Sequence, residues 1–309
     1  MDRLPAATDI MVTRMITLSP ETGVLEAVAK LLENRITGAP VVGSGHTYLG
    51  VFSEKCSMDV LVAAAEAYMK EHGKLPSVRA ADIMERDLVT LDQNMDSIEA
   101  IGLLLANHIS GAPVVDSAGR YLGGFSEKTS MSVLLACSYD QMPAGPVSTY
   151  MDPDRNRLVT ADADLLSLAH IFLETPYRRL PVVDDGRLLG QISRRDVLDA
   201  ALRLAHRVPG YLEELRDPER GTDNSVAAFM DHRARTIEPD LDLLRIATVF
   251  NVTPYRRLPV LDGDLVAGIV CRRDVLAAAR ETLLSESKVR TKGLYLSAVA
   301  DGPPPTVTH

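Results

Sequence analysis

The chain has 309 residues, 46% of them apolar, and a formal net charge of -9. This length allows two domains of ordinary size, and the acidic balance disfavours a broad nucleic-acid or anionic-membrane surface, since both partners demand a positive field. A local basic pocket stays open. No apolar run approaches the roughly 20 residues that span a bilayer, and the start MDRLPAATDI lacks the basic region and apolar stretch of a secretory signal. Cys56, Cys137 and Cys271 have neither metal-like nor disulfide-like spacing, which suits a reducing, cytoplasmic setting.

In chain order, Met15 to Leu18 reads as a short strand, and Ser19-Pro20-Glu21 offers a helix start. Leu25, Val28, Ala29 and Leu32 then recur at helical spacing. Ala39-Pro40-Val41-Val42 and Tyr48-Leu49-Gly50-Val51-Phe52 read as two tightly joined strands, followed by a second helix around Ser57 to Met69. The same order recurs from Asp87 to Cys137, Arg157 to Ala205 and Arg235 to Glu281, around Pro40, Pro113, Pro181 and Pro259. The fold class expected is α/β of the α+β kind, with four β-α-β-β-α repeats at 6–69, 79–140, 146–207 and 224–284. Linkers fall at Lys70–Arg79, Asp140–Pro146 and Pro209–Asn224, and the tail DGPPPTVTH reads as loose.

The repeats differ in chemistry. The first two share Phe-Ser-Glu-Lys-x-Ser-Met, from Phe52 and Phe125, while the last two share Thr-Pro-Tyr-Arg-Arg-Leu-Pro-Val and Arg-Arg-Asp-Val-Leu. Two modules of two follow, 1–141 and 142–309, because one such unit buries little surface and exposes sheet edges. Ser57 and Ser130 read as helix caps. His170 and Glu174 lie one turn apart without a third ligand nearby, so no metal site is expected. No nucleophile elbow, Walker loop or metal-ligand cluster is present, and the chain reads as non-catalytic.

The repeated order, with the endings Gly190-Gln-Ile-Ser-Arg-Arg-Asp196 and Gly268-Ile-Val-Cys-Arg-Arg-Asp274, resembles cystathionine-β-synthase (CBS) domains over almost the whole chain. The resemblance implies pseudo-twofold pairs, called Bateman modules, with clefts that often bind adenosine nucleotides. It also implies that a Ser or Thr and an Asp three residues later meet the ligand, the Asp on the ribose.

A carboxylate accepts hydrogen bonds from both ribose hydroxyls, and a helix start favours its charge; Asp196 and Asp274 sit at such positions. The pairs Arg178-Arg179 and Arg256-Arg257 suit phosphate, which their forked guanidiniums grip well. Tyr177 and Tyr255 are candidates to cover a base, and Arg157 and Arg235 match the family's other ligand-lining stretch. By the same resemblance the sites are crossed: Asp196 and Ser193 face Arg235, Tyr255 and Arg256, and Asp274 with Cys271 faces Arg157, Tyr177 and Arg178.

The first module lacks both the Asp and the arginines, carrying Cys56, Thr129, Thr37-Gly38 and Ser110-Gly111 there. The expectation is a regulatory protein that needs no cofactor and binds AMP, ADP or ATP in its second module. Its other partner is a regulated protein, and its modules pair within the chain or in a homodimer. The alternatives are an empty scaffold, or a sensor of S-adenosylmethionine, a dinucleotide or a divalent cation.

Overall fold

The computed structural model describes residues 4–139, 143–208 and 224–280. Most of the linker expected at Pro209–Asn224, the start of the one at Asp140–Pro146 and the tail lie outside the described residues. The first repeat contains a helical turn α1 (Ala7–Ile10), helix α2 (Val24–Glu33), the hairpin β1 (Gly38–Val42) and β2 (Tyr48–Ser53), and helix α3 (Glu54–His72). The second contains α4 (Ala80–Ile83), β3 (Leu91–Asp92), α5 (Ser97–Ala106), β4 (Gly111–Val115), β5 (Tyr121–Ser126) and α6 (Glu127–Tyr139). The third contains α7 (Val147–Tyr150), α8 (Leu165–Glu174), β6 (Arg179–Asp184), β7 (Arg187–Ser193) and α9 (Arg194–Arg207). The fourth contains α10 (Val226–Phe229), α11 (Leu243–Val252), β8 (Arg257–Asp262), β9 (Leu265–Cys271) and a helix α12 over 272–280. The class is α+β.

Local chemistry accounts for these elements. Asp96, Asp164 and Asp242 cap α5, α8 and α11, accepting from backbone N–H groups at Ile98, Ser167 and Arg245. In the first repeat Gly23 holds that position, so the helix starts later than Ser19-Pro20 suggests. Its buried face is Val24, Ala27, Val28 and Leu31 rather than the expected stripe through Leu25. Ser57 and Ser130 are buried inside α3 and α6, where their hydroxyls donate to the carbonyls of Ser53 and Ser126 at 3.1 and 2.8 Å; they are not caps.

The first strand of each repeat is shorter than expected. It reduces to one parallel bridge, Leu18 to Val41, Val159 to Val182 and Ile237 to Val260, except for the two residues of β3. The central proline explains this. Leu18 N–H donates to the Pro40 carbonyl at 2.9 Å, but proline has no N–H to return to that strand, so the ladder stops. Toward β2 the proline costs nothing, because Pro40 stands opposite Val51, whose N–H and C=O turn away to Asp231 of the fourth repeat.

That last contact sets the assembly. The free edge of every hairpin is bridged by another repeat, reciprocally: Val51 pairs with Asp231 and Ile269 with Val12, while Gly124 pairs with Asp152 and Gln191 with Glu85; Thr47 with Leu265 and Arg120 with Arg187 bridge the same pairs of repeats. The first repeat is thereby joined to the fourth and the second to the third. Two pseudo-twofold pairs exist, but their membership corrects the grouping expected from adjacency, 1–141 with itself and 142–309 with itself. The helical faces close the ring differently. Met58, Leu61 and Val62 of α3 share a core with Leu168 and Phe172 of α8 and Val197 and Leu198 of α9. Met131 and Leu134 of α6 share another with Ile246, Ala247 and Phe250 of α11. Each repeat therefore touches one repeat through its sheet and another through its helices.

Candidate functional site

Helices α3, α6, α9 and α12 each begin directly after the second strand of a hairpin, and the tetrads that open them are the chemically distinctive residues. Their first and fourth members bond to each other. Asp196 accepts from the N–H and hydroxyl of Ser193, both at 2.7 Å, and Asp274 accepts from the Cys271 N–H at 2.7 Å. Thr129 accepts from the Ser126 N–H at 2.8 Å, and the Ser53 hydroxyl meets the Cys56 sulfur at 3.4 Å. Burial raises the carboxyls of Asp196 and Asp274 above their ordinary value, against the pull of these bonds. It also pushes the Cys271 thiol up to about 12, which suppresses thiolate chemistry at neutral pH.

The second member decides the electrostatics. Arg194 and Arg272 turn their guanidiniums toward helix ends: Arg194 donates to the carbonyls of Phe172 and Thr175, and Arg272 to those of Phe250 and Thr253. Each also stacks over a phenylalanine, Phe172 or Phe250. They hold α8 and α11 to the following hairpins. In the first two repeats the same position is Glu54 and Glu127. Glu54 pairs with Arg178 at 3.0 Å and Glu127 with Arg256 at 2.9 Å, across the helical faces that join repeats one to three and two to four.

These groups meet in a cavity of about 280 Å³ lined from all four repeats. Its wall carries eight arginines against three carboxylates, a concentrated positive charge inside an acidic chain. Arg178, Arg179, Arg256 and Arg257 all reach it. Burial, with Arg256 alongside, lowers Arg178 to about 9 despite Glu54, and burial lowers Arg179 as well. Arg179 is positioned by Gln191 at 3.0 Å and Ser110 at 3.2 Å, and Arg257 by the Gly38 carbonyl at 3.3 Å. The buried Nε atoms of Arg195 and Arg273 make no hydrogen bond, leaving donors that an anion would satisfy.

Two clefts share wall residues with this cavity. The one between repeats one and four, about 310 Å³, is lined by Thr37, Ser53, Lys55, Asp231, Tyr255 and Arg256. The one between repeats two and three, about 170 Å³, is lined by Ser126, Thr129, Asp152, Arg157, Tyr177 and Arg178. In the latter, Tyr177 is engaged: Arg157 lies 4.8 Å over its ring, its hydroxyl bonds Asp154, and Arg157 pairs with Asp152.

The crossed sites expected between repeats three and four are therefore assembled only in part. Tyr255 faces the first repeat, Arg157 and Tyr177 face the second, Arg256 lines both clefts and pairs with Glu127 of the second repeat, and Arg235 is exposed. Asp196 borders a separate polar hollow with Asp82, Asp199 and Arg203. Cys271, Asp274 and Ser193 do reach the central cavity, together with the four paired arginines. Sequence reasoning missed Glu54 and Glu127, although the shared Ser-Glu-Lys phrase was their signal. His170 pairs with Glu66 at 3.1 Å, and among the described residues no group of three or more His, Cys, Asp or Glu side chains is placed to hold a metal ion. No helix among them is long and apolar enough to cross a membrane.

The profile of one domain family, the CBS domain, matches residues 7–55, 80–129, 147–203 and 226–281. Uncharacterized protein MJ1225 of Methanocaldococcus jannaschii is 26% identical over 275 residues, covering 85% of this chain and 94% of that protein. Its crystal structure matches with 24% identity and a TM-score of 0.38, over 88% of this chain and 99% of that one. CBSX1, a chloroplastic CBS domain-containing protein of Arabidopsis thaliana, is 29% identical over 188 residues, 60% of this chain and 59% of its own length. CBSX2, solved in complex with AMP, is 29% identical with a TM-score of 0.37, over 41% of this chain and 97% of that one.

Proposed function

The chain belongs to the CBS domain family, and from that premise we propose that it is a non-catalytic sensor of adenosine nucleotides. The phosphates enter the central arginine cavity, and the nucleoside occupies the adjoining cleft between repeats one and four. The observation that carries this reading is the cavity wall itself, eight arginines with unsatisfied buried Nε donors on Arg195 and Arg273. Isolated buried guanidiniums are unfavourable, and a phosphate supplies both the charge and the acceptors they lack. Tyr255 lines the larger cleft, and Arg256 and Arg257 line both it and the cavity, which suits a ligand with an aromatic end and an anionic end. A divalent cation is disfavoured by the same charge.

Signalling follows from the shared wall. A ligand gripping residues from several repeats favours the arrangement in which those residues converge, and a partner protein reads that population shift. The free thiols of Cys56, Cys137 and Cys271 favour a reducing compartment such as the cytoplasm. Calorimetric titration of the full chain with adenosine, AMP, ADP and ATP tests the reading. Binding of AMP at least about tenfold tighter than adenosine is expected from one or more charge-assisted bonds; equal affinity, or no heat from any of them, overturns it.

A further inference from the structure

We propose that Glu54 and Glu127 are specificity determinants of the central cavity, built-in carboxylates that occupy Arg178 and Arg256 and so limit the anionic charge a ligand brings in. The proposal rests on the cavity being a phosphate site and deepens that reading. Each glutamate is the first residue of its helix, and they are only 5% and 4% exposed. At the same position in repeats three and four an arginine extends to a helix end and spends its donors on carbonyls. The shorter glutamates instead end at the cavity wall, 3.0 and 2.9 Å from Arg178 and Arg256. Glu127 also lies 4.0 Å from Arg273.

An incoming phosphate that reached Arg178 or Arg256 would meet a carboxylate already there, at a distance where like charges repel strongly in a partly desolvated site. Arg179, Arg195 and Arg257 make no ion pair among the described residues, and they remain for the ligand. The cavity thus accepts a compact anion on the unpaired arginines and discriminates against a longer, more highly charged one that must also use the paired arginines. Each negative charge is set in place by the fold, in a position that the first two repeats alone supply.

The test uses inorganic phosphate, pyrophosphate and tripolyphosphate, titrated calorimetrically at constant ionic strength into the full chain and into Glu54→Gln and Glu127→Gln. Each substitution frees one arginine, so the ratio of tripolyphosphate to phosphate affinity should rise about tenfold or more. The double variant Glu54→Gln with Arg178→Gln removes the pair as a unit and should return the ratio close to that of the unaltered chain. A purely structural role for the glutamates would lower thermal stability and leave the ratio where it was. A ratio unchanged within about twofold in a folded variant, or no anion binding by either variant, overturns the proposal. Should Glu54→Gln not fold, Glu127→Gln at the equivalent pair carries the same test. These probes contain no adenosine. Failure of the nucleotide reading alone would appear as binding of the inorganic series without binding of AMP.

Discussion

Gly190 lies so close to Glu85 that a β-carbon on it would sit 2.7 Å from the Glu85 carbonyl oxygen. The same approach recurs at Gly50 against Asp231 and at Gly123 against Asp152, at 2.7 and 2.8 Å, so the seams between repeats depend on a missing side chain. Gly190→Ala should push Glu85 away and break its two backbone bonds to Gln191, both 2.9 Å. The expected cost is about 1–3 kcal/mol by chemical denaturation. Gly23→Ala, where a β-carbon meets nothing within 4 Å, should cost less by the same measurement, no more than the helix-cap preference of glycine over alanine.

Arg272 is a structural member of the arginine set. Its Nη2 donates to the carbonyls of Phe250 and Thr253, each at 2.9 Å, from a buried position. Arg272→Met keeps the stacking volume but orphans both acceptors, and should cost about 1–3 kcal/mol in a denaturant midpoint. Arg194→Met should behave alike, through Phe172 and Thr175.

Arg257 and Arg179, by contrast, reach the cavity with their charge uncompensated by an ion pair among the described residues. Arg257→Gln should weaken phosphate or AMP binding about tenfold or more in calorimetry, the loss of a charge-assisted bond, and should flatten the dependence of affinity on ionic strength. Folding should be little affected, because only the Gly38 carbonyl at 3.3 Å is given up.

Asp274 carries a pH signature. Burial raises its carboxyl above the ordinary carboxylate value, so on acidification the folded chain takes up this proton before the unfolded chain does. Its contribution to stability is therefore favourable below the unfolded value and is lost as pH rises through the raised folded value. Asp274→Asn retains an acceptor for the Cys271 N–H and removes the buried charge. Thermal melts from pH 4 to 8 should show the variant gaining on the unaltered chain as pH rises; a constant offset across that range would contradict this.

Much of the fold was legible because it is local. Apolar spacing marks α2, α5, α8 and α11, and the prolines mark the hairpin strands, with Pro40 and Pro113 in the same register against β2 and β5. The first strands were overread, since the absence of a proline N–H truncates a ladder that β-rich composition alone suggests. In the site, the basic residues stood out as doubled arginines and as Arg-Arg-Asp, but Arg194 and Arg272 look identical in sequence to neighbours with a different job. Only their direction, toward the ends of α8 and α11, separates them. Glu54 and Glu127 escape a local reading because their partners lie 124 and 129 residues away.

The sequence by itself determined four repeats of one β-α-β-β-α unit and the division of their chemistry, carboxylates opening the helices of the first two and arginines those of the last two. Those properties are local: the apolar spacing recurs in every unit, and an Asp caps the first long helix of all but the first. The tertiary structure alone decided which unit faces which. Edge strands accept a residue from any neighbour that fits beside a glycine, and buried charges settle where an opposite charge meets them. Repeat one therefore joins four through its sheet and three through Glu54 and Arg178, and two joins three and four in the same way. The doubled arginines Arg178-Arg179 and Arg256-Arg257 consequently line a single cavity, while Arg157 and Arg235 stay outside it.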